Sequence, residues 1–375
     1  MINILIDGNY IFHKTFGIFG GYGKNPGDVL GSEDDQAMFI RKISMDLCYS
    51  LNQLPPAERI VFTSDSRSWR KDVEIENGGY KNKDKDETAD WTIFYSLLSS
   101  FGANLEDKGF IFSKSDKAEG DDLLYFWADY FGSKGEDCII ITGDKDMHQL
   151  ARWKGDNWTI IWNVSSKNNI LSTPIGWSDK FLSSDSVSSI FNITSAMNTD
   201  KEVLKELTQK VMINEVDPWK FIFTKMVLGD KGDTVPGIWD RTENDKTYKV
   251  TPAKAEKILD AVSSSEWKDV PFRELINDES FLDWISGVSL RVIKEIDSSE
   301  NRKKAKKNLL RNYTLMWLDK TVIPLDVIGL VLKDMKRGIS MERRAIIIDR
   351  IKILEGTTWE DTQGVPSIFN PFNKI

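Results

Sequence analysis

Three short apolar runs in this chain each close on an aspartate: Ile2–Asp7 (INILID), Ile60–Asp65 (IVFTSD) and Cys138–Asp144 (CIIITGD). A brief apolar run without alternation is the pattern of a strand covered on both faces, as in parallel sheets flanked by helices. Stretches between the runs carry helical spacing, as in Ala37, Ile40, Ile43, Leu47 and Leu51. Strand and helix alternating in this way predict an α/β fold with a central, mainly parallel sheet. Ligands of such sheets bind beyond the carboxyl ends of the strands, where the three aspartates fall.

Further acids come in tight groups: Glu119-Gly-Asp121-Asp122, Asp144-Lys-Asp146 and Asp230-Lys-Gly-Asp233. Like charges gathered in one pocket raise one another's pKa. A hard divalent cation removes the conflict, and magnesium prefers carboxylate oxygen and water. The pattern points to phosphodiester cleavage with two metal ions. Taken singly, the acids admit blander roles: Asp7 before a glycine as a turn former, Asp121 or Asp122 as a helix cap. An aspartate-nucleophile phosphatase is disfavoured, because Asp7-Gly-Asn lacks a second aspartate two residues on.

Composition excludes several alternatives. Two cysteines, Cys48 and Cys138, make no disulfide framework and no zinc set. Two histidines, His13 and His148, exclude histidine-rich metal chemistry, and neither is accompanied by a nucleophile motif. The first run is too short for a signal peptide, and no apolar stretch approaches the ~18 residues of a membrane span. A cytoplasmic monomer without membrane contact is the expectation. A net charge of −8 argues against nucleic-acid binding unless many acids are metal ligands and the bases cluster. The bases do cluster, at Arg67, Arg70, Lys71, Lys81, Lys83 and Lys85, and again at Arg302, Lys303, Lys304, Lys306, Lys307 and Arg311. The bland reading of either run is a solvated helix face.

The chain divides by pattern. Residues 1–162 read as the α/β core, with strands at Ile2–Ile6, Arg59–Thr63, Gly109–Phe112 and Asp137–Thr142 and helices at Asp34–Leu51, Trp91–Phe101 and Gly120–Phe131. Gly17–Gly31 reads as a glycine-rich loop, and a helix is expected to start over Asp146–Arg152. Residues 66–90 lack apolar periodicity and read as a mobile excursion from that core. Residues 163–216 are serine- and asparagine-rich, an insertion of uncertain structure with one helix near Lys201–Val211. Residues 217–355 are mostly helical, with helices at Pro218–Leu228 and Pro252–Val262, the proline of each in the first turn. Residues 356–375 read as a flexible tail.

These motifs, in this order, resemble the 5′-nuclease superfamily of flap endonucleases and 5′–3′ exonucleases, with the nearest likeness to ribonuclease H of the T-even bacteriophage type. Glu119-Gly-Asp121-Asp122 matches the family's Glu-Ala-Asp-Asp helix start. Thr142-Gly-Asp144-Lys-Asp146-Met-His148-Gln-Leu150 matches its Ser-x-Asp-x-Asp-x-x-Gln-Leu. Gly229-Asp230-Lys-Gly-Asp233 matches its Gly-Asp-x-x-Asp-Asn, with Thr234 where asparagine is usual. Trp69-Arg70-Lys71-Asp72 and Tyr80-Lys81-Asn82-Lys83 resemble the mouth of its arch, and Asn312–Pro324 resembles a late family segment.

The resemblance implies a PIN-like nuclease core with an arch over 66–90 and a helical DNA-binding region containing a helix–turn–helix. It implies two magnesium ions, with manganese able to substitute. Asp7, Asp65, Glu119 and Asp121 would form one ligand group. Asp121 or Asp122 with Asp144, Asp146, Asp233 and also Asp230 would form the other. Lys81 would meet the scissile phosphate, Tyr80 would stack on an unpaired base, and Arg67, Arg70, Lys71 and Lys83 would hold phosphates. Lys254 would replace the basic contact usual after Pro-Gly-Ile, displaced here by about a dozen inserted residues. The implied partners are DNA and RNA–DNA duplexes with 5′ ends or flaps and a single-strand binding protein. The apolar tail residues Ile368, Phe369 and Phe372 are spaced like a peptide that plugs into a sliding clamp; packing on the chain's own domain is the other reading. The implied activity is 5′ exonuclease, flap endonuclease and RNase H-type cleavage in replication. The alternative is a catalytically weak branched-DNA-binding protein of the same fold.

Overall fold

The computed structural model describes residues 1–52, 54–55, 57–73, 75, 79–81, 90–164, 169–181, 211–243, 246–268 and 270–340. The chain forms two compact units: Met1–Ser68 with Asp86–Val216 and Leu325–Ile375, and Trp69–Lys85 with Asp217–Pro324.

The first unit is built on an eight-stranded, mostly parallel sheet. Strands β1 (Ile2–Asp7), β2 (Arg59–Thr63), β3 (Ile111–Ser113) and β4 (Asp137–Thr142) run parallel in the order β3-β2-β1-β4. The apolar runs behave as expected of strands covered on both faces, with Ile4, Leu5, Ile6, Val61, Phe62 and Ile139–Ile141 all inaccessible to solvent. Helices α1 (Gly8–Phe16), α2 (Glu33–Asn52), α3 (Thr92–Glu106) and α4 (Gly120–Ser133) contribute to this unit. Gly8 must be glycine, because a Cβ there would lie 2.3 Å from the Thr63 carbonyl oxygen and 2.4 Å from the Phe62 ring. The glycine-rich loop begins more helically than its composition suggests: α1 runs on into a wide helical turn over Gly17–Gly21.

Four strands lie where none was expected. β5 (Arg152–Lys154) and β6 (Asn157–Asn163) form a hairpin, and β6 pairs in parallel with β4. The expected helix over Asp146–Arg152 is instead a short 3₁₀ turn, Lys145–Leu150, leading into that hairpin. β7 (Asn169–Pro174) and β8 (Val211–Val216) extend the same sheet, β7 antiparallel to β6 and parallel to β8. Part of the stretch read as an insertion is therefore sheet; the helix expected near Lys201–Val211 lies outside the described residues apart from Val211.

The second unit has its own core, formed by Ile222, Met226, Ile258, Phe281, Ile285 and Leu309, among others. Helices α5 (Pro218–Leu228) and α6 (Pro252–Ser263) stand where the proline starts placed them. Between them come a two-residue antiparallel pair, Gly229–Asp230 with Val235–Pro236, and a hairpin of β9 (Asp240–Glu243) and β10 (Lys246–Lys249). Helices α7 (Glu279–Ile293) and α8 (Ser299–Met316) complete the unit. Helix α9 (Leu325–Ser340) belongs to the first unit and covers edge strand β3: the Ser113 hydroxyl donates to Asp334 at 2.6 Å and Arg337 donates to the Phe112 carbonyl at 2.6 Å. Among the described residues no helix is long and apolar enough to cross a membrane. The tail, including Ile368, Phe369 and Phe372, lies outside the described residues.

Candidate metal and nucleic-acid site

In the first unit, β1 lies between β2 and β4, so Asp7, Asp65 and Asp144 follow the carboxyl ends of three adjacent parallel strands. Asp7 is the N-cap of α1, and its Oδ1 accepts from the Tyr10 N–H at 2.9 Å. Its Oδ2 accepts from the Thr142 hydroxyl at 2.8 Å, and the Thr142 oxygen accepts in turn from the Asp144 N–H at 3.0 Å. One hydroxyl thus bridges the first and last acids. Asn9 does the same for Asp65: its Nδ2 donates to Asp65 Oδ2 at 2.8 Å while its Oδ1 accepts from the Asp65 N–H at 3.0 Å. Asp65 Oδ1 accepts from the Gly120 N–H at 2.6 Å, at the N-terminus of α4 beside Glu119 and Asp121. Neither Thr142 nor Asn9 was singled out from sequence, although both stand inside quoted motifs, Thr142-Gly-Asp and Asp7-Gly-Asn.

The electrostatics match the crowding. Asp7 is 5% exposed, and burial, with the charges of Asp65 and Asp144 adding to it, raises its carboxyl to about 7 despite the Tyr10 and Thr142 hydrogen bonds. The fit to a hard cation is good: the donors are carboxylate oxygens, and one is buried so deeply that it needs a proton or a cation at neutral pH.

The helix-start motif separates its acids. Glu119 and Asp122 form a capping box, with the Glu119 N–H donating to Asp122 at 3.1 Å. Asp122 is fully buried in that role, whereas Asp121 is half-buried and takes no part in the capping box. Asp144 is exposed and caps the 3₁₀ turn through the Asp146 N–H at 2.8 Å; Asp146 is half-buried.

The second unit holds the remaining candidates. Asp230 is paired with Lys225 at 2.5 Å and accepts from the Gly232 N–H at 2.6 Å. Burial pushes its carboxyl up, but Lys225 and the turn N–H groups outweigh burial and leave it below the usual range. Asp233 accepts from the Tyr80 hydroxyl at 3.2 Å, and its carbonyl accepts from the Lys81 N–H at 2.8 Å. Two assignments need correction. Tyr80 is 6% exposed and packs with Ile75, Val235 and Leu315, so its ring has no free face for a base. Arg70 is 2% exposed; its Nε donates to the Leu315 carbonyl at 2.8 Å and its guanidinium lies over the Trp69 ring, so it anchors the segment and does not grip phosphate. Lys71 is exposed, and so is Arg67 in the first unit. Lys254 lies in the first turn of α6 with its Nζ donating to the Lys249 carbonyl at 3.1 Å. Lys83 lies outside the described residues. Asn312, fully buried, donates to the Met226 and Pro236 carbonyls at 2.7 and 2.9 Å and so ties α8 to the start and end of the acidic turn.

This sheet, with acids at the ends of its adjacent parallel strands and a helical region following, is a fold shared with two solved bacteriophage T5 structures. Among solved structures the chain is similar to T5 5′-exonuclease with divalent zinc bound, at a TM-score of 0.51 and 15% identity over 91% of this chain and 99% of that one. It is similar also to the bacteriophage T5 D15 protein co-crystallised with metal ions, at a TM-score of 0.50 and 15% identity over 90% of this chain and 98% of that one. At that identity the likeness is one of fold. No protein-family model and no curated protein matches the chain.

Proposed function

We propose that this protein is a metal-dependent 5′ nuclease that cleaves phosphodiester bonds at the 5′ ends or flaps of DNA and of RNA primers on DNA. The observation that carries the reading is the junction of Asp7, Asp65 and Asp144 at three neighbouring strand ends, with the Asp7 carboxyl raised to about 7 by its burial and, further, by the charges of the other two. Magnesium is the ion proposed, in two sites, with manganese able to substitute. When bound, such ions activate water and stabilise the leaving oxygen of an in-line displacement. The ligands proposed in the first unit are Asp7, Asp65, Glu119, Asp121, Asp144 and Asp146. Asp233 and Lys81 keep the roles the resemblance gives them, a metal ligand and the cation meeting the scissile phosphate. Asp230 is proposed as the organiser of its turn, since Lys225 already neutralises it. Arg67, Lys71 and Lys254 are the phosphate contacts proposed among the described residues. RNase H-type cleavage, a place in replication, a sliding clamp taken by the tail and a single-strand binding protein as partner complete the proposal.

The test is cleavage of a 5′-labelled flap duplex with an RNA or a DNA 5′ strand, with magnesium or manganese and a chelator control. Wild-type protein should cut near the junction or stepwise from the 5′ end. Asp144→Asn should lose at least ~100-fold in turnover while keeping duplex affinity, because Asp144 is exposed and its loss perturbs transition-state charge more than folding. Tight binding by the wild type without product under either metal would sink the nuclease reading in favour of a branched-DNA-binding protein.

A further inference from the structure

Thr234 has a backbone φ of +58°, in the left-handed region. A β-branched residue is an outlier there, because its Cβ substituents crowd the backbone, whereas glycine or asparagine enters readily. Such strain persists only where surrounding contacts over-determine it. The contacts are visible within the second unit. Thr234 Oγ1 lies 2.7 Å from the Gly79 carbonyl oxygen and 2.6 Å from the Asp233 carbonyl oxygen, so its one proton joins the turn to residue 79 when it is given to Gly79. One residue earlier, the Asp233 carbonyl accepts from the Lys81 N–H at 2.8 Å. Lys81 is itself left-handed, with φ +53°, so its conformation also requires an external hold. The turn carrying Asp233 and Thr234 is braced from behind. Gly229, at φ +77°, closes on Gly237 so tightly that a Cβ would lie 2.4 Å from its nitrogen, and Lys225 pins Asp230.

We infer that Thr234 is a positioning residue: its strained backbone and its hydroxyl latch residues 79–81 onto the acidic turn and fix the direction in which the Lys81 side chain leaves the backbone. The inference rests on the proposed catalytic role of Lys81 for its effect on turnover, but the latch itself is a statement about structure. A hydroxyl is needed at this position, and a side chain able to enter the left-handed region while donating a hydrogen bond can replace it.

The experiment compares wild type, Thr234→Val and Thr234→Asn in full-length protein. Valine keeps the shape and strain and removes the donor; asparagine tolerates the backbone and retains an N–H donor. Hydrogen exchange read at the Lys81 amide should accelerate at least ~10-fold in Thr234→Val, the equivalent of about 1.4 kcal/mol, and return toward wild type in Thr234→Asn. Turnover on the flap duplex should fall about tenfold in Thr234→Val with KM changed less than about twofold, and be rescued in Thr234→Asn. Wild-type amide protection at Lys81 in Thr234→Val would overturn the latch, as would unchanged turnover in a wild type that cleaves. A wild type that cleaves nothing would defeat the nuclease reading instead, and the amide exchange alone would then decide the latch.

Discussion

Replacing Asp7 with asparagine should stabilise the metal-free protein. Asp7 is buried, and its carboxyl is raised from 3.8 to about 7 by burial, reinforced by the charges of Asp65 and Asp144. A carboxyl whose folded pKa is raised makes the folded state less stable as pH climbs from the unfolded value through the folded one. At ~1.36 kcal/mol per pKa unit, the penalty in the wild type approaches about 4 kcal/mol at pH 8 and is about half of that at pH 5.5. Asparagine carries no charge. Its Oδ1 can still accept from the Tyr10 N–H, but its amide now faces the Thr142 oxygen as a donor, so the hydroxyl must turn away. Allowing about 1 to 2 kcal/mol for that rearrangement leaves a net gain of roughly 2 to 3 kcal/mol at pH 8. For a body of this size the gain corresponds to a Tm rise of about 5 to 10 °C. Scanning calorimetry in chelator, at pH 8 and pH 5.5, would measure it. Addition of magnesium should favour the wild type alone and close the gap. No gain for Asp7→Asn at pH 8, or an equal gain at both pH values, would refute the claim that Asp7 carries an uncompensated charge in the folded protein.

The same carboxyl makes metal affinity depend on pH. A cation that displaces the Asp7 proton should bind up to about tenfold more tightly per pH unit between pH 5 and 7 and level off above about 7. Titration calorimetry in buffers of different ionisation enthalpy should count close to one proton released at pH 6 and few at pH 8; a flat affinity over this range would exclude the displacement. At the other site, Arg70→Met should lower stability by about 2 to 4 kcal/mol, since it strands the Leu315 carbonyl and removes a buried guanidinium from the Trp69 ring. The salt slope of duplex binding should stay unchanged in Arg70→Met and fall by about one in Lys71→Ala, and a fall in the first would restore Arg70 to the phosphate interface.

Much of the first unit was legible because its strands are extreme. Ile4–Ile6 and Ile139–Ile141 are wholly buried, and a fully covered strand has no reason to alternate, so continuous apolar runs mark it. Two helix starts were legible for a local reason: Pro218 and Pro252 sit at the first helical position, while the starts that Asp7 and Asp278 cap with their side chains carry no such mark and were not placed. Strand β7 was missed because polar residues fill its buried positions, Ser172 and Thr173 being completely inaccessible. The β5–β6 hairpin had a usable signal in Gly155, which takes φ +62° at the turn, but charged Arg152 and Lys154 on the short first strand obscured it. The acids themselves were easier than their supports. A carboxylate in the wrong place is conspicuous, whereas Thr142 and Asn9 look ordinary until their partners are seen.

The basic residues show why a run of charge reads less well than a run of acids. An acid at a strand end has its direction set by the strand, but a lysine or arginine carries a long apolar stem that can turn inward. In the segment 69–81, Arg70 and Tyr80 turn into the core of the second unit while Lys71 stays exposed and Lys81 is half-buried. The second run divides in the same way. Arg302 is held by Asp283 and Asp297 at 2.5 Å, Lys306 pairs with Glu279, Lys304 lies over the Trp239 ring, and Arg311 donates to the Pro236 carbonyl at 2.9 Å. Arg311 and Asn312 thus meet at the same carbonyl, directly after the turn that carries Asp233 and Thr234. Four of the six bases of that run are engaged in this way, fixing α8 against its neighbours and bracing the acidic turn. Under the proposed function, phosphate neutralisation would therefore fall to fewer side chains than the sequence counts, and the bases already paired within the chain would act one step back, on the geometry of the residues proposed to do chemistry.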